Sequence, residues 1–264
     1  MVKVMDFEII DFHTHPFTTP DENICSHKEY CDMSADNTLK MFEKLGVSKI
    51  CGSVISNVKE NGLPVWEKIK HNNDTALELR DYYKGFYVPG FHVHPDFPEE
   101  SLREIERMDS LGVKLIGEIV PYHDGWTDYS CEAFSALLSE AGKRNMIVNF
   151  HSQGEDEMDE MVKAHKDVVF VAAHPGEYKA FMRHIDRMKY SENYYLDLSG
   201  YGIFRHGMLR RAIDTFGIDR LLFGSDFPTC NPAMYIGGVL LDDLISDSEK
   251  EKIFSLNAKR LLGI

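Results

Sequence analysis

Eight short runs rich in Val, Ile and Phe punctuate this chain: "FEIIDFH", "KICGSVIS", "GFYVPGFHVH", "VKLIGEIV", "MIVNFH", "VVFVAAH", "YYLDLSG" and "RLLFGSD". Between them lie amphipathic stretches such as "NTLKMFEKLG", "SLREIERMDSLG" and "CEAFSALLSEAGKRN", several ending in a glycine suited to the residue after a helix C-terminus. Apolar runs alternating with helical periods predict parallel strands joined by crossover helices. Shared over eight units, 264 residues leave 33 for each, close to the ~30 or more that a βαβ element needs. No Ser/Gly-rich linker or break in composition interrupts the series. Residues 1–264 are therefore read as one α/β domain, a single (β/α)8 TIM barrel. The tail "SEKEKIFSLNAKRLLGI" supplies closing helices after the eighth strand. Phe17 to Ser34 is long for a loop in a compact domain, and a lid over the barrel mouth is its expected use.

Side chains alternate along a strand, so Ile9, Asp11, His13 and His15 are expected together on the inner side of the barrel. The same phase groups Lys114, Ile116 and Glu118; Ile147, Asn149 and His151; Phe170, Ala172 and His174; and Leu222, Gly224 and Asp226. Each set ends in a residue of metal-ligand type at the C-terminal end of its strand, where this fold builds its active sites. Barrel closure would bring Asp226 beside His13 and His15, and two histidines with a carboxylate form a transition-metal ligand set. His151 and His174 face them across the mouth, and Glu118 lies on the rim between. Lys114 sits about four residues deeper than Glu118, ~13 Å by strand rise, and reads as a barrel-floor residue. One histidine at a strand end is usually an ordinary hydrogen-bonded residue; several in phase on separate strands point to a site.

The net charge of −14 disfavours nucleic acid, whose phosphates are normally met by clustered Lys and Arg. No window approaches the ~20 apolar residues of a membrane span, and the N-terminal stretch lacks a cleavage-site pattern. A cytoplasmic protein with a small-molecule substrate is the expected case, and a homodimer is compatible with it. Five cysteines, an odd number, suit a reducing compartment. Cys25 and Cys31 with His27, in "CSHKEYC", match no common zinc spacing and are expected to be free thiols.

With "DFHTHP" at the first strand, "NFH" at the fifth, "AAHPG" at the sixth and "RLLFGSDFP" at the eighth, the sequence resembles the amidohydrolase superfamily, specifically its amidohydrolase-2 group of TIM-barrel metal-dependent hydrolases and decarboxylases. The resemblance extends to the terminal "NAKRLLG". It implies His13 and His15 as ligands of one divalent metal with Asp226, and His151 as a further ligand. His174 is then either a ligand of a second metal or a metal-free catalytic histidine. Glu118 stands where many members carry a carboxylated lysine, and is similar to the bridging glutamate of TatD-like hydrolases. Bridging two ions and orienting the ligands of one both remain open.

The implied chemistry is activation of water by one or two divalent ions, most simply zinc with manganese as the alternative, for attack on an amide, ester or lactone of a small carboxylated substrate. Asp226 is the expected general base and His174 the expected group that polarises or protonates the substrate. His94, after the third strand, and Arg205, after the seventh, are candidate substrate-binding residues. The alternative is metal-dependent decarboxylation of an aromatic or enol acid. TatD-like phosphoesterase action rests on Glu118 alone and is opposed by the net charge, and a non-catalytic binding barrel is opposed by the intact ligand set.

Overall fold

A computed structural model describes residues 6–24, 33–56, 63–202 and 205–264. Eight strands run β1 (Ile9–Asp11), β2 (Val47–Ser53), β3 (Tyr87–Phe91), β4 (Leu115–Ile119), β5 (Ile147–His151), β6 (Val169–Ala173), β7 (Tyr194–Asp197) and β8 (Leu221–Leu222). Each pairs in parallel with the next, so order in the sheet is order in the chain. The sheet closes on itself beyond the last ladder. Phe12 N–H donates to Phe223 O at 2.9 Å and His15 N–H to Phe227 O at 2.6 Å, with a parallel bridge between Thr14 and Phe227. The expected (β/α)8 barrel is the fold observed.

The crossovers are α1 (Ala35–Lys44), α2 (Val65–Tyr83), α3 (Pro98–Ser110), the single turn α4 (Pro121–Asp124), α5 (Glu132–Lys143), α6 (Glu155–Ala164), α7 (Tyr178–Tyr190) and α8 (Met208–Phe216). The Ser34 side chain accepts from Asn37 N–H at the start of α1, and Pro98 opens α3 where no backbone donor is needed,. After β8 come α9 (Pro232–Leu240), α10 (Asp247–Glu251), a π-helical turn (Lys252–Leu256) and α11 (Asn257–Leu262). Ser246 and Glu249 form a reciprocal capping box at α10,.

Strand residues divide between two apolar layers. Val148, Phe150, Phe170, Ala172 and Leu196 pack with helix residues such as Leu137, Met161 and Ile185. Ile10, Phe12, Cys51, Leu115, Ile147, Val171 and Leu222 form the inner cluster, joined by Ala258 of α11. Lys259 bonds Glu8 and Arg260 bonds the Asp219 carbonyl, placing α11 beneath the starts of β1 and β8.

This division corrects the simple alternation at three strands. At β4 the inner residue is Leu115, not Ile116, and Lys114 is not on the barrel floor: it is exposed, its Nζ bonded to Asp109 and to the Arg144 carbonyl. At β6 Val171 is inner, while Phe170 and Ala172 face helices. At β1 Ile9 faces the helices and Ile10 the interior, with a register irregularity between them. Among the described residues no helix is long and apolar enough to cross a membrane. Cys51, Cys131 and Cys230 are free thiols; Cys25, His27, Cys31 and the middle of the expected lid lie outside the described residues.

Candidate metal centre

His13 and His15 follow the end of β1 and are almost completely buried, at 1% and 2% exposure. His13 Nδ1 lies 2.9 Å from Asp197 Oδ2, and His15 Nδ1 lies 3.0 Å from the Ser53 carbonyl oxygen. Both oxygens are acceptors, so each Nδ1 carries the proton and each Nε2 presents a lone pair. Those two Nε2 atoms face one another at 3.2 Å. Lone pairs at such a distance repel unless a cation or a proton lies between them, an arrangement compatible with a metal-ligand pair oriented from behind. Asp226 Oδ1 stands 3.8 Å from His13 Nε2 and 3.6 Å from His15 Nε2, brought there by Asp226 N–H donating to the His13 carbonyl at 2.9 Å. Nitrogen and carboxylate donors converging in this way fit a divalent transition ion.

Glu118, from the end of β4, reaches a second set of imidazoles with its other oxygen. Its Oε2 is 3.4 Å from both His13 Nε2 and His15 Nε2, while its Oε1 is 2.9 Å from His151 Nδ1 and 3.3 Å from His174 Nε2. The carboxylate gets inside although its strand phase is off. Gly117 has φ +96°, and the β4–β5 register shifts between Ile116 and Ile119. A side chain at Gly117 would place Cβ 2.0 Å from the Asn149 carbonyl oxygen, so the turn requires glycine.

His174 and Asp226 also depart from the extended strand conformation, with φ of 68° and 62°, a left-handed conformation uncommon outside glycine. Ser199 holds the His174 ring. Its hydroxyl donates to Asp197 Oδ1, leaving its lone pairs to accept from His174 Nδ1 at 3.1 Å, so His174 Nε2 faces Glu118 with a lone pair. Asn149 Nδ2 donates to Asp197 Oδ2 at 3.3 Å and to the Val171 carbonyl at 3.0 Å. Asp197 thus orients His13 directly and His174 through a hydroxyl.

Charge is concentrated in this buried volume. Burial would raise the Glu118 carboxyl, but His13 and His151 hold it well below the usual range. Burial would likewise lower His13, yet Asp197 and Glu118 raise its imidazole well above the ordinary value. Asp226 goes the other way: burial pushes its carboxyl up, and the surrounding histidines only partly oppose this. The site therefore mixes a carboxylate whose ionised form is strongly favoured, Glu118, with one that burial makes easier to protonate, Asp226,.

The donors open onto a cavity of about 320 Å³ whose upper wall includes Ile24, Ile55, Val120, Tyr122 and His123. Six residues expected from the sequence, His13, His15, Glu118, His151, His174 and Asp226, come together here. The other two do not. His94 is buried beside Phe97 and Trp126, with its ring nitrogens 3.2 Å from the Asp124 carbonyl oxygen and 3.1 Å from Asp96 N. Arg205 pairs with Glu177 at the surface. Asp197, Ser199 and Asn149 were not singled out by ligand type, although Asp197 ends β7 as the other candidates end their strands.

The amidohydrolase family profile matches residues 10–264. No curated protein matches the chain significantly. Among solved structures, an uncharacterised TIM-barrel protein from Bordetella bronchiseptica is 18% identical, with 97% of this chain and 99% of that chain covered and a TM-score of 0.77. A 2,6-dihydroxybenzoate decarboxylase from Rhizobium is also 18% identical, with 97% and 98% covered and a TM-score of 0.75. A dihydroxybenzoic acid decarboxylase from Polaromonas sp. JS666, solved with manganese and the inhibitor 2-nitroresorcinol, is 15% identical, with 97% of both chains covered and a TM-score of 0.73. At these identities the likeness is one of fold.

Proposed function

The chain belongs to the amidohydrolase family, and from that premise we propose that it is a metal-dependent hydrolase of a small molecule carrying an amide, ester or lactone carbonyl. The observation that carries this reading is Glu118, whose two oxygens face two separate groups of imidazole donors. Glu118 and Asp226 together would neutralise a single divalent ion. Donors for a second ion, His151 and His174, leave the centre net positive, as polarising a carbonyl oxygen requires.

A divalent cation bound here, zinc or manganese, supplies Lewis acidity and lowers the pKa of water toward ~7. His13 and His15 offer their Nε2 lone pairs to it, held in that tautomer by Asp197 and the Ser53 carbonyl. Asp226 is placed to take a proton from the attacking water at Oδ1 and to return it to the leaving group, a role that suits a carboxyl raised by burial,. Ile24, Ile55 and Val120 wall the cavity with apolar surface and limit competing water.

Decarboxylation of an aromatic acid is the second reading. It is favoured by the names of the solved structures from Rhizobium and Polaromonas, which support it better than they support hydrolysis. Metal-reconstituted protein offered lactones, aryl esters, N-acyl amides and hydroxybenzoates separates the two. Hydrolysis releases a new carboxylate, together with a proton from a lactone or ester or an ammonium group from an amide, and Asp226→Asn abolishes it; carbon dioxide from the hydroxybenzoates with every carbonyl substrate untouched would overturn the hydrolase reading.

A further inference from the structure

A second polar cluster lies against the cavity, outside the metal donors. Lys68, on α2 and only 6% exposed, directs its Nζ to His123 Nδ1 at 3.0 Å and to Asp124 Oδ1 at 3.1 Å. An ammonium has no lone pair and can only donate. His123 Nδ1 must therefore accept, which fixes the neutral ring as the Nε2–H tautomer. Asp124 Oδ1, 3.4 Å from the same Nδ1, is the weaker contact and balances the lysine's charge. Among the described residues nothing accepts from His123 Nε2, and His123 lines the same cavity as Glu118, His151, His174 and Asp226.

A buried lysine is a costly way to fix one ring, since taking its charge out of water must be offset by good partners. A wall residue that merely packs needs no such support. We propose that His123 is a specificity-determining residue: positioned by Lys68, it donates Nε2–H to a substrate oxygen remote from the reacting carbonyl. The substrate class is then a compact molecule with an apolar body, matched by Ile24, Ile55 and Val120, and an oxygen function at each end. This rests on the hydrolase reading for the position of the reacting end, while the tautomer of His123 is independent of it.

The test uses zinc-loaded protein with benzohydroxamate, a metal-chelating probe, and its 3- and 4-carboxy derivatives. One carboxy derivative should bind at least about tenfold more tightly than the parent, the worth of one hydrogen bond to a charged group. His123→Phe should remove that preference while leaving parent affinity and metal content unchanged. His123→Gln, which retains an N–H donor, should restore part of it and guards against a folding defect. In ¹⁵N spectra His123 should be protonated at Nε2, and Lys68→Met should shift that tautomer balance. A preference unchanged in His123→Phe, or a ring protonated at Nδ1, overturns the proposal and leaves the hydrolase reading standing. Failure of every hydroxamate to bind in a metal-dependent way overturns both.

Discussion

Asp197 Oδ2 accepts from His13 Nδ1 at 2.9 Å, with both side chains inaccessible to solvent. The carboxylate sits behind the histidine, away from the centre, and determines which ring nitrogen is free. Groups of this kind commonly set ligand basicity and orientation as strongly as the ligands themselves. Asp197→Asn keeps the shape but removes the charge and admits the wrong imidazole tautomer. Metal affinity should fall about 10- to 100-fold, read by chelator competition, with the circular dichroism spectrum unchanged.

Gly200 and Gly117 offer a matched pair of substitutions. A Cβ at Gly200 would lie 2.2 Å from His174 Nδ1, with φ +59°. Alanine tolerates that backbone for about 1–2 kcal/mol, so Gly200→Ala should displace the ring and cost at least about tenfold in turnover while lowering stability only by that amount.

At Gly117 the obstruction is backbone: Cβ would meet the Asn149 carbonyl oxygen at 2.0 Å and Ile119 N at 2.5 Å. Neither can yield without breaking the β4–β5 ladder. Gly117→Ala should destabilise the fold by more than about 3 kcal/mol, measured by urea denaturation, and should lose Glu118 from the centre with it.

Acid should unfold the protein through His184, which is not a metal donor but packs behind His174 and interacts with it. Burial, reinforced by Arg187, pushes His184 down to about 3; its Nδ1 faces the Tyr194 hydroxyl at 2.7 Å. The unfolded chain binds this proton near pH 6.5 and the folded chain does not, so the folded state loses stability as pH falls below about 6.5, until about pH 3. By pH 5 the loss from this residue is about 2 kcal/mol. His184→Gln should flatten the stability profile between pH 6.5 and 5 relative to wild type, and an unchanged slope would refute the assignment.

The alternation of apolar runs and amphipathic stretches was enough to read the barrel, because each βα unit carries its own periodicity. The inner phase was legible at β5, where Ile147, Asn149 and His151 alternate without interruption. It was not legible at β4 or β6. Glu118 and His174 reach the centre through backbone at φ +96° at Gly117 and 68° at His174 itself, and periodicity carries no mark of a local reversal. Counting from the wrong phase still ended on the right residues, since the reversal occurs at the strand end where ligands are sought. The same counting placed Lys114 inside, where no reversal rescues it. His94 and Arg205 could not be placed from type alone: the first is held by α4 and the second by Glu177, contacts that only tertiary structure supplies.

The claim on which the rest depends is that Glu118 stands between two metal positions. Its most direct measurement is the metal content of protein stripped and reloaded with zinc or manganese, combined with anomalous scattering at the metal edge, in wild type and in Glu118→Gln. The predicted result is two ions per wild-type chain, one among His13, His15 and Asp226 and one beside His151 and His174, with at most one retained in the variant. A wild-type chain that binds no ion, or that binds one regardless of residue 118, would contradict the account.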